Sequence, residues 1–596
     1  MISLFRPGRI GRASVLLAVS LGSLWHLFQF SAGTFWSRGL GDWLDPYFIN
    51  ALLEHWYHSL STLADPSSPP MYFPARHAIG YSHGLILYGL FYVPLRMFLH
   101  PFRAYTVMLC LVLETGIGAL YLLFRRIGLA FVEALVLTAL FFSSPNVVGG
   151  ATGVWSQRAS VFLTPPILLA ILASFPSTTR RVRLALAFVA GLLAGLMYVQ
   201  DFYTAHFAVL FALLFGLTFA TASKPFGLSD RIPRFWSAQS RMARWLVVVA
   251  ALAWMWTCVV IMSGGVQSQL FGLTVRSHDW RRPAVVAMLL SAPFVSPKWI
   301  LGLRRPYPAI WNWCAALGIG ASVGALIFLW MYLPAFHEHS TFPSEEAWQA
   351  IVPAHRVMDL FVYQSQRIFY VVFAVAALAC MPFPGADRKV RFSCLSMAAI
   401  ALVVLLVPLR VHGWSIWSAI ARWPGFGVIR DPKRIIQVYE LAAVLGVALI
   451  VRRFSSSSRY RAAVLVVCLA ALVTQDAGDA FEYGRPIAEF DRWVSAPIET
   501  DPSCRSFFMK RASTEYLSRS DHMWSLYGVD ALFVSFAHSI PTLNGYSAWA
   551  PADWELYDPQ LANYRERVQR WVARNGLTGV CELDIDARKM TPISGQ

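Results

Sequence analysis

Long apolar runs constrain the fold of this chain more than any other feature of its sequence. Runs such as residues 184–200 and 435–451 approach the roughly 20 residues that a helix needs to cross a bilayer. A spanning helix satisfies its backbone hydrogen bonds internally, as lipid requires. Only 14% of the 596 residues are charged, against about a quarter in soluble domains. The sequence therefore predicts an all-α polytopic membrane protein with about thirteen transmembrane helices.

The basic residues are distributed in a way that argues against nucleic-acid binding. The net charge is +17, yet residues 476–596 hold 12 Lys or Arg and 17 Asp or Glu, so the excess lies in the apolar part. There it forms clusters in short loops, which are typical of the cytoplasmic side of a membrane. The clusters are Arg125-Arg126, Arg180-Arg181-Arg183, Arg304-Arg305, Arg388-Lys389-Arg391 and Arg452-Arg453.

Threading the chain with those clusters inside predicts its domains. The N-terminus is cytoplasmic, and residues 13–30 form an uncleaved first helix. Residues 36–103 form the first outer loop of a transmembrane domain, 1–475, and a helix in that loop lies on the membrane surface. Residues 476–596 form a small periplasmic α/β domain. The location is the bacterial inner membrane.

The C-terminal region has a strand-like run, ALFVSFA at residues 531–537, and a helical pattern over residues 562–576. Cys504 and Cys581 are its two cysteines; an oxidising compartment would let them form a disulfide, and two free thiols are the alternative. Since no Cys or His set has metal-site spacing, the sequence predicts no metal and no other cofactor.

The first outer loop is rich in reactive side chains. Asp42 and Asp45 follow the first helix at the boundary between water and lipid. Pro46 indicates that a helix starts there, so Asp45 either caps that helix or acts as a general base on an acceptor hydroxyl. Glu54, His55 and His58 follow at helical spacing; they mark either an amphipathic surface helix or, for His58, a further site residue.

An acidic residue after the first helix, an Asp-Pro helix start, and the strings "YFP" and "YSHGL" resemble the GT-C superfamily of bacterial membrane glycosyltransferases. Protein mannosyltransferases and lipid A aminoarabinose transferases belong to this superfamily. Two further strings, WPGFGVIRDPKR and PTLNGYSAWAP, resemble uncharacterised bacterial members. The resemblance implies a catalytic aspartate in the first outer loop. This role falls on Asp45, with Asp42 as the second choice, and His83 of "YSHGL" is a candidate for another position in the site.

The resemblance also implies a sugar donor linked to polyprenyl phosphate, whose phosphate needs cations outside the membrane. Arg430, Lys433 and Arg434 are candidates, as is Arg158, because arginine can hold two phosphate oxygens at once. Interfacial snorkelling and a surface pair between Arg430 and Asp431 are the alternatives.

Other candidates lie outside these loops. Asp201 joins two apolar runs, where a carboxylate is costly; it is either functional or a helix cap. Tyr546, Trp549 and Trp554 either stack on an acceptor or pack in a core. The interpretation favoured here is an inverting glycosyltransferase acting on a lipid, glycan or protein of the envelope, with no nucleic-acid partner. A transporter or flippase of lipid-linked sugars and a non-catalytic assembly protein are the alternatives.

Overall fold

The computed structural model describes most of the first outer loop, several helices after it, and most of the C-terminal region. These residues are 36–41, 45–144, 156–174, 179–222, 308–337, 435–453, 483–510 and 523–593 except 548, with short strands and isolated positions elsewhere. Asp42, Arg430, Lys433 and Arg434 lie outside the described residues.

The described part of the chain is mostly helical. Its helices are α1 (Asp45–Thr62), α2 (Ile86–Arg96), α3 (Pro101–Ile127), α4 (Phe131–Phe142), α5 (Thr164–Ser174), α6 (Arg180–Gln200), α7 (Phe202–Ala222), α8 (Pro308–His337), α9 (Ile436–Arg453), α10 (Ile487–Phe490), α11 (Met523–His538) and α12 (Tyr564–Arg574). There are 3-10 helices at Ala78–Tyr81 and Ser156–Leu163 and a π-helix at Asp491–Ser495.

The strands are short. They are β1 (Arg38–Leu40), β2 (Val266–Leu270), β3 (Leu273–Ser277), β4 (Ser340–Thr341), β5 (Val352–Pro353), β6 (Leu409–Val411), β7 (Trp414–Ser415), β8 (Tyr483–Pro486), β9 (Glu499–Thr500), β10 (Ser506–Met509), β11 (Trp549–Ala550), β12 (Val580–Asp584) and β13 (Lys589–Pro592).

Four helical segments in the described residues are long and apolar enough to cross a membrane. They are Pro101–Ile127, Gln157–Ser174, Arg180–Gln200 and Asn312–Ala335. The predicted first and last spans, residues 13–30 and 462–473, fall outside the continuous ranges given above, so the count of thirteen stays a prediction.

Glycines let α6 and α8 pack with their backbones in contact. A Cβ on Gly191 would lie 2.0 Å from the Leu317 carbonyl oxygen, and a Cβ on Gly320 would lie 2.1 Å from that of Phe188. Small residues are typical where membrane helices approach this closely.

Several arginines gather at one end of the helices. Arg126 donates from Nη2 to the Ala173 carbonyl at the end of α5, at 3.3 Å. The Arg452 Nε lies 3.7 Å from where a Cβ on Gly128 would be. Arg180 begins α6, which runs about 30 Å to its other end at Gln200. The clusters of Arg126, Arg180 and Arg452 thus share one face, and the far ends of α6 and of the Gln157–Ser174 segment define the opposite face.

The prediction of a surface helix over Glu54 to His58 was partly wrong. Helix α1 is present, but 12 of its 18 residues are buried, and these include Glu54 and His55. Helix α2 covers one side of α1, and α11, from far along the chain, covers another through ring contacts of Phe533 and Phe536. Solvent reaches α1 only at its first residue, Asp45, and in its last turns from Tyr57 onward.

The C-terminal residues include a four-stranded sheet in the order β10-β12-β13-β9. Strands β10 and β12 are parallel, and Phe507 pairs with Cys581. Cys504, just before β10, forms a disulfide with Cys581, with Cα atoms 5.6 Å apart. Helix α12 buries Tyr564, Val568, Trp571 and Val572 on one face, as its sequence pattern predicts.

The strand prediction for ALFVSFA was wrong, because this run lies in helix α11. Residues 526–535 of α11 are all buried, so the helix is apolar on most sides rather than on one stripe. Burial on all sides removes the 3.6-residue period that identifies an amphipathic helix, and a short apolar run then looks like a strand.

The first outer loop and the C-terminal residues are interlocked. Strand β1 pairs with β8, and the 70–73 backbone bonds to the 542–544 backbone: Tyr72 N donates to the Asn544 carbonyl and Thr542 N to the Pro70 carbonyl, at 3.0 and 2.9 Å. The two regions therefore share one core.

A buried ion pair ties the same regions together more deeply. Arg485 Nη1 lies 2.6 Å from an oxygen of Asp530, with both side chains at most 1% exposed. The Tyr47 hydroxyl of α1 donates to Asp530 and accepts from Arg485. Burial raises the pKa of Tyr47 well above its usual value, so the hydroxyl keeps its proton. An ion pair of the C-terminal region, Arg485 with Asp530, thus anchors helix α1 through Tyr47, near the N-terminal end of the helix.

Candidate active site

Asp45 stands at the first position of α1 and is half-buried. Its Oδ1 accepts a hydrogen bond from the Tyr546 hydroxyl at 3.2 Å, and its Oδ2 accepts one from Gln157 Nε2 at 3.3 Å. A carboxylate is also favoured at this end of a helix by the helix dipole. The two hydrogen bonds fix the orientation of the carboxylate while part of it remains open.

Three distant parts of the chain meet at this carboxylate. Gln157 is 112 residues away in the sequence and Tyr546 is 501 residues away. The Tyr546 ring packs edge-to-face on Phe48, one turn into α1, with ring centroids 5.1 Å apart. Gln157 is buried, and its Oε1 has no partner among the residues that the structure describes.

Asp201 and His83, both predicted from the sequence, form a second pair. His83 Nδ1 lies 3.3 Å from Asp201 Oδ1. The Asp201 carboxylate also caps α7, since it accepts from Tyr203 N at 3.1 Å and from the Thr204 hydroxyl at 2.6 Å. The predicted capping role of Asp201 is therefore present, and its contact with His83 is an additional one.

A polar network links the surroundings of the two carboxylates. Gln200, just before Asp201, accepts from Leu87 N and Tyr88 N at 3.0 Å and thereby caps α2. Its Nε2 donates to the Ser160 hydroxyl at 3.1 Å, and that hydroxyl donates to the Tyr88 hydroxyl at 3.2 Å. Ser160 belongs to the same 3-10 helix as Gln157. This helix lies between Asp45 and Asp201 and fixes the position of both.

The other predicted residues have different surroundings. Arg158 follows Gln157 on the 3-10 helix and is half-buried. His58 lies thirteen residues after Asp45 on α1, about 20 Å along the helix, so it is not part of this site. Trp549 is half-buried in β11.

Trp554 contradicts its predicted role in acceptor binding. It is only 5% exposed, its ring packs edge-to-face on Tyr72 at 4.7 Å, and its Nε1 donates to the Leu543 carbonyl. A buried indole with its N–H satisfied has no free face for a sugar, so Trp554 is a core residue.

No group of three or more His, Cys, Asp or Glu side chains that could hold a metal occurs among the described residues. Sequence reasoning missed Gln157 and Gln200, the two amides that organise the site. A neutral amide next to an apolar run gives no signal in a single sequence, because only its three-dimensional partners distinguish it from any other glutamine.

Comparisons with known proteins give a limited result. No family model and no curated protein matches the sequence. Among solved structures, the oligosaccharyltransferase of Archaeoglobus fulgidus, in complex with Zn and sulfate, is 13% identical over 95% of this chain and 67% of that chain, with a TM-score of 0.45. ArnT from Cupriavidus metallidurans is 12% identical in its apo state, over 90% of this chain and 86% of that one, with a TM-score of 0.30.

The ArnT structure bound to undecaprenyl phosphate gives nearly the same values: 12% identity, 89% and 85% coverage, and a TM-score of 0.31. Because all three TM-scores lie below 0.5, the likeness to these structures carries no argument about this chain, and its chemistry has to be argued from the residues of the site.

Proposed function

We propose that the chain is an inverting glycosyltransferase that transfers a sugar from a polyprenyl-phosphate donor to a lipid, glycan or protein of the cell envelope. One observation carries the proposal: side chains from two distant segments hold the half-open carboxylate of Asp45, and one of them, Gln157, begins a candidate membrane span. Few structural roles require a carboxylate to be oriented in this way at the boundary between water and lipid.

In the proposed reaction Asp45 removes the proton from the acceptor hydroxyl. The acceptor oxygen attacks the anomeric carbon from the face opposite the donor phosphate. The bond between that carbon and the phosphate oxygen breaks, so the configuration inverts and polyprenyl phosphate leaves with the electron pair. A direct displacement of this kind needs one base, and Asp45 is the carboxylate with an open side.

The neighbours of Asp45 have distinct roles in this proposal. Tyr546 serves as a positioning residue for the carboxylate, rather than as the acceptor-stacking residue that the sequence favoured, because its hydroxyl is bonded to Asp45. The Oε1 of Gln157, which has no hydrogen-bond partner in the part of the chain that the structure describes, can accept from a sugar hydroxyl. Trp549 stays a proposed acceptor contact.

Cations would stabilise the leaving phosphate. Arg158 is next to Gln157 in the chain and half-buried, which supports the proposal that its guanidinium contacts the phosphate. Arg430, Lys433 and Arg434 remain proposed for the same role. The site lies on the face opposite the arginines of α3 and α6, so the positive-inside rule favours the outer side of the bacterial inner membrane.

A transfer assay tests the proposal. The purified chain in native-like lipid is given a panel of radiolabelled polyprenyl-phosphate sugars with envelope lipid, glycan and peptide acceptors. We expect Asp45→Asn to lose transfer by about 100-fold or more, as is typical for loss of a general base, while donor binding persists. Asp553→Asn is the matched control, because this carboxylate is 66% exposed and asparagine tolerates its positive φ of 59°.

Equal transfer by wild type and Asp45→Asn would refute the role of the carboxylate. No transfer from any donor, with both variants indistinguishable from wild type in lipid-linked sugar transport or envelope assembly, would favour the transporter and the non-catalytic alternatives.

A further inference from the structure

A cavity lies beside the C-terminal half of α1, away from Asp45 at its N-terminal end. Its volume is about 580 Å³, within the roughly 300–1,000 Å³ of small-molecule sites. Glu54, where α1 enters the cavity, is nine residues from Asp45, which is about 14 Å along the helix. The cavity is therefore separate from the proposed active site.

The cavity opens where a membrane surface would lie. Pro101, the first residue of the candidate span Pro101–Ile127, lines it. Met97 and Phe98, which also line it, are 65% and 84% exposed. Exposed apolar side chains at the beginning of a span lie at the level of lipid headgroups and upper acyl chains. The molecules next to the cavity opening are thus phospholipids, so a phospholipid is the ligand that can enter it.

The charges inside favour a cationic group. The Arg96 guanidinium is paired with Glu54, whose Oε1 accepts from Arg96 Nε at 2.5 Å. Among the described residues, the ion-pair partner of Asp491 is His100, at 3.2 Å. Burial lowers the pKa of His100, so at neutral pH its imidazole is uncharged. Asp491, whose side chain is 49% exposed, is therefore the lining carboxylate that has no arginine or lysine partner among the described residues.

Aromatic rings form much of the remaining wall. Phe490, Phe533 and Phe536 line the cavity, whereas the Tyr57 ring is already covered by the Arg96 guanidinium, which lies 5.0 Å from its centroid. Ring faces next to a carboxylate are the usual surroundings of bound ammonium groups. Arg96 supplies the complementary charge: its Nε and Nη1 bond to Glu54 and the Leu99 carbonyl, and Nη2 has no hydrogen-bond partner among the described residues.

We propose that this cavity binds the headgroup of a phospholipid that carries an ammonium group, such as phosphatidylethanolamine. Asp491 and the aromatic wall contact the ammonium, Arg96 Nη2 donates to the phosphate, and the acyl chains pass Met97 and Phe98 into the bilayer. The proposal does not depend on the glycosyltransferase activity.

Native mass spectrometry of the full chain tests this site. The purified, delipidated protein is offered equal amounts of phosphatidylethanolamine and phosphatidylglycerol with matched acyl chains. We expect one phosphatidylethanolamine to be retained with about fivefold preference, from an ion pair and cation–π contacts together. Asp491→Asn, which is isosteric, should reduce the preference to about one, and Asp491→Lys should reverse it. Asp553→Asn is the control.

Several outcomes would overturn the proposal. One is wild-type protein that retains the two lipids equally or prefers phosphatidylglycerol. Another is an unchanged preference in Asp491→Asn while its circular dichroism matches wild type. Displacement of the lipid by glucosamine but not by glucose would assign the cavity to an amino sugar instead.

Discussion

Acidification is expected to release helix α1 through one residue, His55. This side chain is 1% exposed on the buried face of α1, and its Nε2 donates to the Pro66 carbonyl at 3.0 Å. The Phe536 ring stacks on it with centroids 6.3 Å apart. Burial lowers the pKa of His55 from 6.5 to about 4, and the hydrogen bond to Pro66 opposes this only in part. The folded protein therefore holds the imidazole neutral.

The size of the effect follows from the difference in pKa. When α1 is released, His55 regains its ordinary pKa of 6.5, so between pH 6.5 and about 4 the released state binds up to one proton more than the folded state. Stability is then lost as the pH falls from 6.5 to about 4, and it is constant below that. About 2.5 pH units at about 1.4 kcal/mol each amount to about 3 kcal/mol.

The assay is unfolding of the purified protein, followed by tryptophan fluorescence at several pH values between 4 and 7.5. The free energy of unfolding is compared between wild type and His55→Gln, because the glutamine cannot titrate and the other ionisable groups cancel in the difference. We expect the advantage of wild type to shrink by about 3 kcal/mol on acidification. His58→Gln, a half-buried position on the same helix, is the control. A wild-type advantage that is constant over this pH range would refute the reasoning.

Three further predictions concern the site, the membrane helices and the C-terminal sheet. Tyr546→Phe keeps the ring contact but removes the hydroxyl from the Asp45 carboxylate, which we propose to be catalytic. We therefore expect kcat to fall about tenfold with KM nearly unchanged, and an unchanged kcat would exclude the positioning role. Gly320→Ala should cost about 1–3 kcal/mol in thermal unfolding because its Cβ would meet backbone at 2.1 Å, whereas Gly318→Ala, where a Cβ meets nothing within 4 Å, should not; equal effects would contradict the packing. Cys504→Ser opens a bridge that spans 77 residues and should lower the free energy of unfolding by about 2–4 kcal/mol, and dithiothreitol should do the same to wild type but leave the variant unchanged.

The local sequence pattern was enough to predict a helix or strand where one face of that element is buried and the other is exposed. Helix α12 is such a case: its four buried side chains are those that the sequence pattern places on one face. Asp45 could be chosen because its position, after an apolar run and before proline, is visible in the sequence. The disulfide could be anticipated because the C-terminal region holds only two cysteines.

Long-range partners could not be predicted. Helix α1 has the polar side chains of a surface helix, and it is buried because α11 lies on it, nearly 480 residues later in the chain. The apolar run in α11 was mistaken for a strand because the same long-range packing buries the helix on several sides, which hides its 3.6-residue period of apolar residues. Gln157 had no local signal, and its role depends on Asp45, 112 residues away.

Because the first outer loop packs against the C-terminal region, the loop cannot complete its contacts until the C-terminal region has been synthesised. Tyr546 is synthesised 501 residues after Asp45, which at roughly 5–20 residues per second is roughly 25–100 s later. During that time Leu52, Leu53 and their neighbours on α1 have left the ribosome without the helix that will cover them. A nascent chain would therefore need a holdase for this loop, and the candidate catalytic carboxylate would gain the Tyr546 hydroxyl as a hydrogen-bond donor only after that interval.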